Sequence, residues 1–204
     1  MSLRCPIVVM AKAPRPGYAK TRLVPALGSD GAAALAERLL HHAMAQARAA
    51  DLGPVDLCCA PDARHPAFEA YARAPGVALS AQAEGDLGTR MALAFRRWFD
   101  QADAVLMIGT DAPALDAPLL RRAAAALSNH DAVFVPALDG GYALIGLRRA
   151  APTLFSGIAW STAQVMAQTR QRLAEAGLSH AELPPLADID EPADLVHLPA
   201  GWWP

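Results

Sequence analysis

Residues 6–22 read PIVVMAKAPRPGYAKTR, and this stretch decides the fold. It begins with a short apolar run, Pro6 to Met10, and continues into a loop that contains Pro14, Pro16 and Gly17. A short apolar run that ends in turn-forming residues is typical of a strand buried on both faces. We therefore predict a buried first strand followed by a loop.

The same alternation of strands and helices continues along the rest of the chain. A helix capped by Asp30 is expected after the first loop, and a capping-box pattern at Ser161 and Gln164 predicts a late helix that Gly177 ends. From Asp188 onward the chain is expected to form loop and a short helix. The other predicted elements are strands at 55–60, 77–81, 104–108, 133–136 and 142–147, and helices near 67–73, 89–99 and around Pro118.

Strands that alternate with helices predict an α/β fold with three layers, in which helices cover both faces of a mostly parallel sheet. The strands at 133–136 and 142–147 are close enough in sequence to form a turn-linked pair, so a mixed sheet is expected. A length of 204 residues favours a single domain over 1–204. Ligands of such sheets bind beyond the carboxyl ends of the strands, so the functional residues should lie in those loops.

The composition excludes several classes of partner. A formal net charge of -2 provides no field that would attract nucleic acid or an anionic membrane. Three cysteines are too few for a disulfide framework, which favours a reducing cytoplasm. No apolar stretch approaches the roughly 20 residues that a membrane span needs, so neither a signal peptide nor an anchor is expected.

Four cations lie in the loop after the first strand. Lys12, Arg15, Lys20 and Arg22 surround Gly17, which lets backbone approach a ligand closely. Lysine and arginine donate charge-assisted hydrogen bonds to phosphate oxygens, so a di- or triphosphate is the expected ligand. The alternative is a solvated basic loop. The segment lacks the G-x-x-x-x-G-K-[ST] spacing of a P-loop, which disfavours motor-type nucleotide hydrolysis.

Aspartates follow a strand and recur near the end of the chain. Asp111 lies in MIGTDAP, just beyond a predicted buried strand, where a carboxylate suits Mg²⁺ or Mn²⁺; Asp116 is the better cap for the next helix. Asp188 and Asp190 are two residues apart on an expected extended segment, so both can face one side. Asp188 is predicted to bind metal, whereas Asp190 can be either a ligand or the cap of a short helix that starts near Pro192.

Two glycine-containing loops are further candidates for binding. Gly85 and Asp86 precede Arg90 at a predicted helix N-terminus, where backbone amides can face an anion or the edge of a base. The triplet Asp139-Gly140-Gly141 has the composition of a simple hairpin turn. Its function can be inferred only from resemblance.

We expect structural rather than catalytic roles for two histidines and two tryptophans. His41 and His42 are adjacent on a helix and cannot form an i, i+4 metal pair. Trp202 and Trp203 are interpreted as contact residues, either against the domain itself or against a second copy in a homodimer.

Six segments, taken in order, carry a resemblance to a known family. They read AKAPRPGYAKTRL, EGDLGTRM, GTDAP, DGGYALIGL, GIAWST and DIDEPADL. Together they resemble the bacterial DUF2064 proteins, also called rSAM/selenodomain-associated transferase 1. The resemblance spans nearly the whole chain and implies the glycosyltransferase-A, or SpsA-like, fold of nucleotide-diphospho-sugar transferases. GTDAP is not a D-x-D motif, because residue 109 is glycine.

The resemblance also implies roles for the loop residues. Lys12, Lys20 and Arg22 would contact phosphates, Asp111 would bind the metal, and Asp188 or Asp190 would be the second carboxylate. The other implied contacts are Gly85, Asp86 and Arg90 beside the base or ribose, and 139–142 facing the acceptor.

Three functions fit these residues. In a nucleotidyltransferase, an acceptor phosphate attacks the α-phosphorus of a nucleoside triphosphate and pyrophosphate leaves. Lys12, Lys20 and Arg22, with metal at Asp111, would be the machinery. In a glycosyltransferase, the donor is a nucleotide-sugar, and Asp139 is the candidate base. The third alternative is a nucleotide-binding or partner domain without turnover, because a fold alone does not establish a reaction.

Overall fold

The computed structural model describes residues 4–202 of the chain. The strands are β1 (Ile7–Lys12), β2 (Val55–Ala60), β3 (Val77–Ala81), β4 (Val105–Ile108), β5 (Ala132–Pro136), β6 (Tyr142–Leu147) and β7 (His180–Glu182). The α-helices are α1 (Val24–Ala50), α2 (Pro66–Glu69), α3 (Leu87–Arg96), α4 (Ala117–Ala126) and α5 (Val165–Glu175). Short 3₁₀ helices cover Thr21–Leu23, Pro152–Phe155 and Pro192–His197.

The strands form one mixed sheet in the order β3-β2-β1-β4-β6-β5-β7. β6 runs antiparallel to both of its neighbours, β4 and β5, while the remaining pairs are parallel. β1 pairs with β2 and β4, so the strand that the first apolar run predicted lies inside the sheet. The mostly parallel, mixed sheet predicted from the sequence is confirmed.

Helices cover both faces of the sheet. Ile7 and Val9 of β1 belong to a hydrophobic cluster with α1 and α4, whereas Val8 belongs to a cluster with α3 and α5. Because successive side chains of a strand point to opposite faces, β1 is apolar without alternation. The three-layer α/β/α architecture is therefore confirmed. Within residues 4–202, no helix combines the length and apolar character needed to cross a membrane.

Two helices begin differently from the prediction. α1 starts at Val24 and continues through a kink at Gly28, whose φ of 71° and ψ of 168° are not helical. Asp30 therefore lies inside α1 and does not mark its start.

The predicted capping box at Ser161 and Gln164 is wrong. Ser161 has a φ of 62°, and α5 begins only at Val165, with no side-chain cap on Gln164. The residues before α5 form a turn instead, in which the Thr162 hydroxyl donates to the carbonyl of Ala159. The predicted end is confirmed, because Gly177, with a φ of 62°, follows the last turn.

The other local predictions have different outcomes. Asp116 caps α4, with its Oδ1 2.8 Å from the Leu119 amide, as expected. The 3₁₀ helix at Pro192–His197 is capped by Glu191 in a capping box with Asp194, so the cap interpretation of Asp190 is wrong. The edge strand β7 was not predicted from the sequence.

Of the two tryptophans predicted as contact residues, Trp202 lies within the described residues. Trp202 packs on α1, with its ring 5.0 Å from His42 and 5.3 Å from the Arg38 guanidinium. Trp203 lies outside the described residues. His41 and His42 have separate partners, the Tyr71 hydroxyl and the Pro113 carbonyl, in agreement with structural roles.

A buried carboxylate fixes α3 on the sheet. Asp56 of β2 is 2% exposed and accepts hydrogen bonds from the Ser80 hydroxyl at 2.6 Å and from the Trp98 indole at 3.1 Å. Arg97 adds a contact of 3.4 Å at the end of the same helix. These contacts hold the helix that carries Arg90 and Met91.

We expect Asp56→Ala to lower the free energy of unfolding by about 3 kcal/mol, because it leaves buried donors without an acceptor. Urea denaturation measures the change. Asp62→Ala is the matched control, since Asp62 pairs with Arg64 at the surface, and its unfolding midpoint should stay near that of the parent. Equal midpoints for the two variants would contradict the structural role of Asp56.

Candidate functional site

A cavity of about 490 Å³ opens beyond the carboxyl ends of β1 and β4. It is bounded by the loops after these two strands, by the β5–β6 hairpin, by the start of α3 and by the segment at 188–190. The predicted site residues that line it are Lys12, Lys20, Arg22, Arg90, Asp111, Asp139, Asp188 and Asp190. Four other predicted residues, Arg15, Gly17, Gly85 and Asp86, do not line it.

Lys20 holds three parts of the chain together. Its ammonium lies 2.5 Å from Asp111 Oδ1 and 3.7 Å from Asp190 Oδ1, and it donates to the carbonyl of Ile189. Only 7% of this side chain is exposed, so the charge is satisfied by the protein rather than by water. The backbone of Lys20 is left-handed, with a φ of 51°, which is unfavourable for a residue with a side chain.

Arg22 provides a second, more accessible cation. Its Nη1 lies 2.8 Å from Asp190 Oδ2 and 3.7 Å from Glu191 Oε1, and 57% of the side chain is exposed. Because exposed ion pairs are weak, the guanidinium can exchange these carboxylates for phosphate oxygens at little cost.

The carboxylates of the site lie close enough to affect one another. Burial, together with the charges of Asp139 and Asp111, raises the pKa of Asp188 to about 6. Asp139 also orders the β5–β6 turn, because its Oδ1 accepts from the Gly141 amide at 2.7 Å. Asp139 is therefore both a residue of the hairpin turn and a residue that lines the cavity.

The residues present fit a divalent cation only in part. Among residues 4–202, no three acidic, histidine or cysteine side chains converge into a metal cage. Asp111 and Asp188 supply carboxylate oxygens of the kind that Mg²⁺ and Mn²⁺ prefer, while Asp190 faces Lys20 and Arg22. A cation here would need phosphate oxygens or water to complete its coordination.

The loop before α3 is folded on itself. Asp86 caps α3 by accepting from the Thr89 amide at 2.8 Å. Hydrogen bonding to the Thr89 side chain, and then to this amide, holds the pKa of Asp86 below its usual value. Arg90 Nε donates to the Gly85 carbonyl at 2.9 Å, and its side chain lines the cavity. Of these three residues, Arg90 is the one in a position to reach a ligand.

Gln82 lines the cavity and was not predicted. Its Nε2 donates to the carbonyls of Ala11, at 3.3 Å, and Cys58, at 3.0 Å. Two carbonyl partners fix the amide orientation, so Oε1 remains as a hydrogen-bond acceptor. The signal that could have identified it is its position directly after β3, at the carboxyl edge of the sheet.

The protein has the fold of the nucleotide-diphospho-sugar transferases, with its cavity beyond the carboxyl ends of the strands. A solved structure from Desulfovibrio desulfuricans G20, provisionally assigned as a nucleotide-diphospho-sugar transferase, has a TM-score of 0.86. The two sequences are 34% identical over 96% of this chain and 85% of the other.

The family follows from the sequence. The sequence model of one protein family, described as "Uncharacterized protein conserved in bacteria (DUF2064)", matches residues 43–162. The chain belongs to this family. The resemblance inferred from the six loop segments is thus confirmed. The comparison with curated proteins finds no match.

More distant structures share the fold. Rv0371c from Mycobacterium tuberculosis H37Rv, in complex with manganese, has a TM-score of 0.60 and 16% identity over 96% of this chain and 97% of that one. The inositol-1-phosphate CTP transferase from T. maritima has a TM-score of 0.60 and 11% identity over 100% and 94% of the two chains.

The raised pKa of Asp188 leads to a pH-dependent stability. Its folded-state pKa of about 6 lies above the ordinary 3.8, so the folded state binds the proton more tightly, and stability falls as the pH rises through this window. In metal-free buffer, we expect Asp188→Asn to gain about 1 kcal/mol at pH 8, after allowance for solvent screening, and little at pH 4.

Urea denaturation at the two pH values measures this difference. Asp131→Asn serves as a control of opposite sign, because hydrogen bonds from Ser179 lower the pKa of Asp131, and its stabilising charge is present at high pH. A gain for Asp188→Asn that is equal at pH 4 and pH 8 would contradict the assignment.

Proposed function

We propose that this protein is a nucleotide-dependent transferase that moves a nucleotidyl group from a nucleoside triphosphate to a small phosphorylated acceptor. The observation that carries the proposal is that three cations, Lys12, Lys20 and Arg22, line one cavity together with Asp111. Such a cluster neutralises a triphosphate, and the neighbouring carboxylates suit a divalent cation that bridges its phosphates.

The proposed reaction is an in-line displacement. An oxygen of the acceptor phosphate forms a bond to the α-phosphorus, the bond from that phosphorus to the bridging oxygen breaks, and pyrophosphate leaves. An ionised phosphate needs no base, so no protein nucleophile and no proton transfer are required. Lys20 and Arg22 would stabilise the charge that develops on the pyrophosphate. A bound Mg²⁺ or Mn²⁺ would add to this neutralisation.

The ion pairs of Lys20 support a switch of partners during binding. Its ammonium lies 2.5 Å from Asp111 Oδ1 and 3.7 Å from Asp190 Oδ1, and Asp111 is also one of the two carboxylates, with Asp188, that would hold a divalent cation. If Asp111 held a cation, the Lys20 ammonium would be available to donate to the oxygens of a triphosphate. The ammonium then keeps an anionic partner, so its buried charge is not left uncompensated.

Glycosyl transfer from a nucleotide-sugar is the second candidate. It is favoured by the provisional assignment of the D. desulfuricans relative and by Asp139, which lines the cavity and would be the base for an acceptor hydroxyl. Thermal shifts with nucleoside triphosphates and nucleotide-sugars, each with and without MgCl₂ or MnCl₂, separate the two. Pyrophosphate release then identifies nucleotidyl transfer.

The three cysteines of the chain are free and buried, which supports a cytoplasmic location in a reducing compartment. This location belongs to the proposal. Fractionation of cells that express the tagged chain tests it.

We expect Asp111→Asn to abolish the metal-dependent part of the nucleotide-induced thermal shift, since an amide oxygen is a poor ligand for Mg²⁺. Asparagine can still accept from Lys20, so the fold should persist. Asp116→Asn is the matched control, because asparagine caps a helix as well as aspartate does. A full metal-dependent shift in Asp111→Asn would contradict its role as a ligand.

We expect Arg22→Ala to weaken triphosphate binding by about ten- to a hundredfold, the effect of one charge-assisted phosphate contact. Arg15→Ala provides the comparison within the same loop, because Arg15 does not line the cavity. Calorimetric titration with triphosphate and with the unphosphorylated nucleoside gives both affinities. Equal losses in the two variants would mean that the loop acts only through its overall charge.

A further inference from the structure

The Gln82 side chain presents one fixed hydrogen-bonding group to the cavity that it lines. Its Nε2 donates to the carbonyls of Ala11, at 3.3 Å, and of Cys58, at 3.0 Å. Both partners are acceptors, so the amide nitrogen must point to them, and both of its hydrogens are used. Among residues 4–202, no group donates to Oε1. The side chain can therefore accept a hydrogen bond from a ligand and has no donor left to offer.

The other polar side chains that line the cavity from the same part of the chain are donors only. Within the described residues before β4, they are Lys12, Lys20, Arg22 and Arg90, and none of these can accept a hydrogen bond. The carboxylates of the cavity belong to later segments, after β4, after β5 and at 188–190. Over β1 and β2, a ligand group that donates a hydrogen bond thus finds its side-chain acceptor in Gln82.

The Gln82 amide adjoins the cations that the proposed function assigns to the triphosphate. Its partner Ala11 directly precedes Lys12, and the same loop continues to Lys20 and Arg22. β2 lies on one side of β1, and β4, which leads to Asp111, lies on the other. A nucleoside placed over β1 and β2 leaves the carboxylates free for the metal and the acceptor. This placement brings the edge of the base to Gln82.

An apolar side chain beside this part of the cavity is left exposed. Leu87, the first residue of α3, is 41% exposed and lines the cavity. Met91 follows one turn later and lines the cavity too, because residues four apart share a face of a helix. A flat base that covers apolar surface removes it from water, which favours binding. This contact is available to any base, so discrimination between bases must come from their polar edges.

The polar edge of the base determines what can pair with Gln82 Oε1. Cytosine, adenine and guanine carry an exocyclic amine, which donates to a carbonyl oxygen. Uracil carries an oxygen in place of the cytosine amine, and two facing acceptors form no hydrogen bond. Its one ring N–H lies between two carbonyl oxygens, and Gln82 has no free donor for either of them.

We propose that Gln82 is a specificity-determining residue for the nucleotide, and that it selects a base with an exocyclic amine, which donates to Oε1. This inference rests on the proposed function, which supplies the nucleoside triphosphate. It goes further by naming the class of base and the atom that recognises it.

Matched triphosphates test the inference on the unaltered protein. Cytidine triphosphate is compared with uridine triphosphate, and adenosine and guanosine triphosphates with inosine triphosphate, by calorimetric titration with Mg²⁺. The members of each pair share the sugar and the phosphates and differ in an exocyclic amine. We expect the triphosphate that binds best to carry the amine, and its counterpart to bind at least about tenfold more weakly. Uridine or inosine triphosphate binding as tightly as the best amine-bearing one would overturn the inference.

A variant tests the assignment to Gln82. Gln82→Met keeps the length of the side chain and removes both hydrogen-bonding atoms of the amide. We expect it to weaken the preferred triphosphate about tenfold and its counterpart less than twofold, so that the preference between them disappears. Gln171→Met is the matched control, because Gln171 is exposed on α5 and does not line the cavity, and it should keep the preference. Thermal melting checks that both variants are folded, and the comparison in the unaltered protein does not depend on them.

The outcomes separate this inference from the proposed function. A preference that survives Gln82→Met would show that another group recognises the amine, and would overturn the inference. Equal weakening of all triphosphates in this variant would do the same, because Oε1 would then contact the ribose and not the base. Tight binding without any preference between bases counts against this inference alone. Absence of binding by every triphosphate would overturn the proposed function and this inference with it.

Discussion

The ion pairs of Lys20 are the interaction on which the site depends. One ammonium connects the loop after β1, the loop after β4 and the segment at 188–190. The backbone adds a parallel tie, because the Ile189 amide donates to the Asp111 carbonyl at 2.9 Å. These contacts join residues 169 positions apart in the chain and compensate for the left-handed backbone of Lys20. The carboxylates therefore face the cavity in a fixed arrangement.

The sequence predicted the sheet well and the contacts within the site poorly, and the reason is physical. A buried strand such as β1 is encoded by a local apolar run, which is visible in any single sequence. The start of α1 is not, because Gly28 permits a kink that lets the helix begin earlier, at Val24. The roles of Asp190 and Gln82 depend on partners from distant strands, and no local pattern encodes such partners.

For the candidate site residues too, some features could be predicted from the sequence and others could not. Lys12, Lys20, Arg22 and Asp111 could be selected from the sequence, because parallel strands bring their carboxyl-end loops to one edge of the sheet. Composition alone could not separate them from Arg15, which lies in the same loop and outside the cavity. The difference arises from the direction of each side chain after a turn, which tertiary contacts determine.

The antiparallel strand β6 explains why strand residues form part of the cavity wall. In a wholly parallel sheet, this edge would be formed by loops that follow strands, which are rich in polar residues. Because β6 runs in the opposite direction, it presents its first residues to the edge, and Tyr142 and Ile145 line the cavity. The Asp139-Gly140-Gly141 turn makes this reversal possible. The same short segment thus serves as a hairpin turn and as a wall of the binding site.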